Sequence, residues 1–137
     1  MDTEARIISA IEAMTHSFHE GNLDGILTAY EPSAVVVGEP GVPLTGGARL
    51  RTMFAGFVAA KARFTYSAHE VFSTGDVALH LAPWTMSGVS PDGEVIGAAG
   101  LSVAVLRRQS SGEWLIVIDD PYGGSLLERP SGDAGPR

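Results

Sequence analysis

Residues 77–120 read VALHLAPWTMSGVSPDGEVIGAAGLSVAVLRRQSSGEWLIVIDD, three apolar runs parted by two short polar breaks. The breaks are Ser90-Pro91-Asp92-Gly93 and Gln109-Ser110-Ser111-Gly112, both rich in residues that favour tight reversals. The segment therefore predicts two long antiparallel strands and a shorter third, joined by hairpins. Strands of such length must bend or coil. Gly97-Ala98-Ala99-Gly100 is the expected place, because small residues in mid-strand permit a bulge or sharp curvature.

Upstream, Arg63-Thr65-Ser67-His69 alternate with Phe64-Tyr66-Ala68, a half-buried strand ending near Thr74-Gly75-Asp76. Before that the period is helical. Ile7, Ile11, Met14 and Phe18 fall on one stripe, with Asp2 or Thr3 to cap it and Gly21 to end it. A short helix is predicted from Asn22 to Tyr30, stopped by Pro32, then a strand over 34–37 and a Gly/Pro-rich loop over 38–47. A third helix covers about 48–60, with Leu50, Phe54, Phe57 and Val58 on its buried side. Helices first and antiparallel strands afterwards make an α+β chain, a curved sheet forming a cone with three helices across its mouth. A single domain over 1–127 is expected, and the polar ERPSGDAGPR of 128–137 is expected to be a flexible tail.

The bulk properties exclude several functions. Formal net charge is −7, with no basic cluster longer than Arg107-Arg108, which argues against nucleic acid or an anionic membrane as partner. No cysteine is present, so thiolate metal sites and disulfides are ruled out. No apolar run reaches the ~20 residues that span a bilayer, and the acidic start lacks the pattern of a secretory signal. A cytosolic protein is the expectation. No pair of histidines stands at HxH or HExxH spacing, so no metal site is expected. His16 and His19 lie off the apolar stripe and His69 on a polar strand face, so all three read as surface residues.

EGNLDGILTAYEPSAVVV (20–37), GGARLRTMFAGF (46–57), GDVALHLAPWTMSGVSPDGEV (75–95) and SVAVLRRQSSGEWLIVIDDPYG (102–123) resemble the nuclear transport factor 2-like superfamily, also called SnoaL-like or ketosteroid isomerase-like. The likeness spans roughly residues 4–124. It implies a cystatin-like α+β roll around an apolar pocket, with no cofactor, and chemistry that varies widely across the superfamily. Ketosteroid isomerase activity as such is not implied. Met14 stands where those enzymes place a tyrosine, and Gly100–Val103 offers nothing stronger than Ser102 where they place an acid.

The base position of the isomerases falls on Gly38 or Glu39, making Glu39 a candidate proton carrier at the pocket mouth. By period two, His80, Ala82, Trp84 and Met86 share a face that the resemblance turns inward. Alternation groups Leu115 and Val117 with Asp119, and the resemblance turns that face inward too. A His80/Asp119 pair below Glu39 is the expected catalytic set. Trp84 and Met86 are expected as walls for a small apolar organic ligand. Met14, Phe18, Phe54, Phe57 and Tyr122 complete the expected lining. Two readings stay open: a cofactor-free isomerase, cyclase, dehydratase or epoxide hydrolase, or a binding or association module without turnover. Both expect two copies to pair through the apolar outer sheet face, which carries Val77, Leu79, Leu81 and Val89.

Overall fold

The computed structural model describes residues 2–128, so all but the first residue of the expected tail lies outside the described residues. Helix α1 runs Thr3–His19, opened by the Asp2 carboxylate accepting from the Ala5 amide at 2.8 Å. Helix α2 covers only Leu23–Thr28, capped by Asn22, because the chain turns extended before Pro32 rather than at it. Strand β1 thus begins at Tyr30 and continues to Glu39. Part of the expected loop is itself a strand, β2 (Val42–Thr45), paired with β1 as a hairpin. Pro43 is tolerated there because β2 is the sheet edge, where a missing N–H costs little. Helix α3 is Gly47–Ala59.

The next strand is broken in two, β3 (Arg63–Tyr66) and β4 (Glu70–Thr74), and both pieces pair with β5 (Val77–Val89). Strands β6 (Val95–Arg108) and β7 (Trp114–Asp120) follow, then a 3-10 turn at Gly123–Glu128. Both predicted hairpin turns form, with Gly93 and Gly112 at φ of 84° and 90°.

The seven-stranded sheet has the order β2-β1-β7-β6-β5-β3, with β4 also on β5. It is antiparallel except that β1 runs parallel to β7, which places the first strand beside the last. One expectation is corrected here. The β5–β6 ladder runs unbroken from Val77↔Arg107 to Val89↔Val95, so Gly97–Gly100 carries no bulge against β5. The irregularity lies in β7 instead: Leu106 pairs with Ile116 but Val105 with Ile118, leaving Val117 as an extra residue.

The helices pack on one sheet face. Ile7 and Ile11 from α1, Ile26 from α2 and Leu50 from α3 meet Leu106 and Ile116 from the sheet. Each such side chain, fully buried, contributes about 1.5–3 kcal/mol. Among the described residues no helix is long and apolar enough to cross a membrane.

Candidate active site

Alternation along β7 sends Trp114 and Ile116 inward and would send Asp119 outward. The extra Val117 reverses the phase, so Ile118 becomes exposed and Asp119 turns inward, 8% exposed. Asp119 is therefore an interior residue, but its companions are Trp114 and Ile116 rather than Leu115 and Val117. Its neighbours in the ladder are Val36 on β1 and Ala104 on β6, neither of which offers a polar side chain.

The partner comes from the other end of β1. The Tyr30 hydroxyl donates to Asp119 Oδ2 at 2.7 Å. Burial pushes the carboxyl up to about 6; the bond from Tyr30 pulls it back, and the Asp120 charge adds to the rise. Burial and the Asp119 charge in turn hold the Tyr30 phenol well above its ordinary value.

The pair borders a cavity of about 100 Å³ between the sheet and helices α1 and α3. Met14 and Phe18 line it from α1, Phe54 and Phe57 from α3. Trp84 and Met86 line it from β5, and Tyr122 from the segment after β7. The Phe18 ring meets Phe54, Phe57 and Phe64 edge-on, at centroid distances of 5.6, 6.3 and 5.2 Å. Trp84 is held by its indole N–H, which donates to the Pro121 carbonyl at 2.8 Å, and its ring lies over Gly100. A Cβ at Gly100 would come within 3.0 Å of the indole and 2.9 Å of the Pro121 oxygen. Tyr122 reaches across to β1, donating to the Gly38 carbonyl at 3.3 Å. Ser102 and Tyr66 add two more hydroxyls to the lining, and burial raises the Tyr66 phenol to about 12.

The other two expected proton carriers lie elsewhere. Glu39 ends β1 exposed to solvent and does not line the cavity, because the lining ends at Gly38. His80 is fully buried on the inner face of β5 but also outside the lining, and the expected pair with Asp119 does not form. Its Nε2 lies 2.8 Å from Nδ1 of His69, which sits at the break between β3 and β4 rather than on a wet strand face. Burial lowers His80 to about 4, with His69 as a lesser cause, and its Nδ1 has no partner among the described residues. His16 is exposed beside Glu20, as expected of a surface residue, whereas His19 accepts the Phe64 amide through Nε2 at 3.1 Å.

Tyr30 and Tyr66 were not expected in the site. Tyr66 shares the inward phase of Phe64, and that alternation was the available signal. Tyr30 gave none, since it closes an apolar run that reads equally well as helix.

A family profile for the SnoaL-like domain matches residues 11–114. The chain belongs to this SnoaL-like family. No curated protein matches this SnoaL-like domain significantly by sequence. Among solved structures, it resembles an NTF2-like superfamily protein of Salmonella enterica serovar Typhimurium with a TM-score of 0.78 and 14% identity, over 98% of this chain and 96% of that one. A ketosteroid isomerase-like protein of Erwinia carotovora superposes with a TM-score of 0.76 and 20% identity, over 87% and 94% of the two chains. The association domain of C. elegans CaMKII gives 0.67 and 17%, over 83% and 90%. At these identities the likenesses establish the fold, that of the nuclear transport factor 2-like superfamily, and leave the chemistry to the site.

Proposed function

We propose that this SnoaL-like domain binds a small apolar organic molecule in its cavity and moves a proton on it without a cofactor, with Asp119 as the proton carrier. One observation carries the reading: a carboxyl buried at a cavity wall, with a raised pKa and the Tyr30 hydroxyl on one of its two oxygens. A group titrating near 6 is mostly ionised at neutral pH yet keeps enough proton affinity to act as a general base. In the proposed step Asp119 takes a proton from carbon beside a carbonyl: the C–H bond breaks, an O–H bond forms on Asp119, and the electron pair moves to the carbonyl oxygen as an enolate. Return of the proton to the same or another carbon completes exchange or isomerisation. Tyr30 positions the carboxylate, and Ser102 and Tyr66 supply hydroxyls to the enolate oxygen. Neither Glu39 nor His80 is given a role, since neither meets the cavity.

The test is deuterium wash-in at the α-carbon of cyclohexanone in D₂O, followed by NMR. Catalysed exchange should rise with pH through an inflection near 6 and be lost in Asp119→Asn. Exchange indifferent to that substitution refutes the proposal.

Self-association is a second reading with its own observation. On the outer sheet face Val35, Ile118, Val105, Leu79 and Phe72 form one cross-strand row by register. Within it Phe72 is 56% and Ile118 43% exposed. We propose that a second copy covers this row; one structural neighbour is itself named an association domain. Ile118→Glu should convert a dimer to a monomer in light scattering, and a wild-type protein that is monomeric at micromolar concentration excludes it.

A further inference from the structure

Size, charge and the position of the carboxyl together restrict what the cavity accepts. An engineered apolar cavity of about 150 Å³ takes one benzene ring. The cavity here, about 100 Å³, is smaller still. The thioethers of Met53 and Met86 in its wall are flexible enough to give by a fraction of an ångström, which leaves room for one ring inside. Among the described residues Lys, Arg and His are all absent from the lining, so an anionic ligand would lose its hydration beside the Asp119 carboxylate with hydroxyls but no cation to offset it. A cation would find that carboxylate, already desolvated by the fold, but would have to shed its own hydration in so small and apolar a space, at a cost of several kcal/mol. An uncharged ligand avoids both penalties. Asp119 itself accepts a single hydrogen bond among the described residues, from Tyr30 to Oδ2. A carboxylate accepts at both oxygens, so a ligand donor on the other one offsets the cost of its burial.

We infer that the cavity selects an uncharged, single-ring compound carrying one hydroxyl, seated with that hydroxyl donating to Asp119. This rests on the ligand-binding role proposed for the same cavity and names the class of ligand.

The experiment is an NMR titration of the purified protein at pH 7.5 with phenol, toluene, benzoate, benzylammonium and 2-naphthol. Phenol should bind saturably and roughly tenfold tighter than toluene, the factor expected of a hydrogen bond to a charged group. Benzoate, benzylammonium and 2-naphthol should bind at least tenfold more weakly than phenol. Asp119→Asn should remove most of the advantage of phenol while leaving toluene unchanged, and Ala98→Leu, which fills the cavity from its rim, should weaken both. Tighter binding of 2-naphthol or benzylammonium overturns the inference, as does phenol binding untouched by both substitutions, or no binding by any of the five. Selective phenol binding without deuterium exchange would sink the catalytic proposal and leave the ligand class standing; exchange without this selectivity would do the reverse.

Discussion

Asp119→Asn should stabilise the protein at pH 8 and leave it no more stable at pH 4. The carboxyl titrates at about 6 in the fold against an ordinary 3.8. Between those values the folded chain holds a proton that the unfolded chain has released, so stability falls as pH rises through the window. At roughly 1.4 kcal/mol per pH unit the rise is worth about 3 kcal/mol, fully lost above pH 6. Asparagine has no charge to desolvate, and its amide oxygen can still accept from Tyr30. Its NH₂ group, left short of partners in the cavity, costs about 1 kcal/mol of that gain. The net is about 2 kcal/mol at pH 8, or roughly 6–8 °C in Tm for a domain of this size. Thermal melts of both proteins from pH 4 to 8 give the answer directly. If Asp119 instead serves as a backbone cap at the end of β7, the variant loses about 0.5–2 kcal/mol at every pH above 4. That outcome, or two melting profiles that run parallel, refutes a buried, strained carboxylate.

Three further substitutions test neighbouring parts of the site. His80 stays neutral in the fold down to about 4 while the unfolded chain protonates near 6.5, so His80→Leu should remove roughly 3 kcal/mol of acid destabilisation in melts between those values. Tyr30→Phe removes the bond that holds the Asp119 carboxyl down, so the inflection of the exchange profile should move above 6, with about 1 kcal/mol lost in denaturant titrations at pH 8. Gly100→Ala places a methyl 3.0 Å from the Trp84 ring and should cost about 1–3 kcal/mol, read together with a changed near-UV dichroism of the indole.

The fold was legible because its largest part announces itself. Two turn signals between apolar runs define the β5–β6–β7 meander, and the helical stripes of α1 and α3 have one plausible place to pack. The wall of the cavity was legible for the same reason: Trp84 and Met86 keep a strict period of two along an unbroken ladder. What periodicity could not supply was contact between distant segments. Tyr30 and Asp119 are 89 residues apart, and their meeting depends on β1 running parallel beside β7, a pairing no local pattern encodes. Likewise His69 meets His80 because the chain breaks between β3 and β4, where alternation predicted one continuous strand.

The bulge at Val117 explains why a carboxylate can be buried here at all. A regular β7 would place Ile118 in the interior and Asp119 in water, which is the lower-energy choice for both side chains. The extra residue reverses that choice at two positions at once: it exposes Ile118 on the outer face and buries Asp119 beside Val36 and Ala104. Neither change helps the folded state by itself. Exposing the isoleucine forgoes apolar burial, and burying the acid costs the desolvation that lifts it to about 6. The Tyr30 bond returns only part of that. A local irregularity that costs stability on both faces of a strand is the pattern expected where each displaced side chain has a use, the carboxyl inside the cavity and the isoleucine on the apolar row outside it.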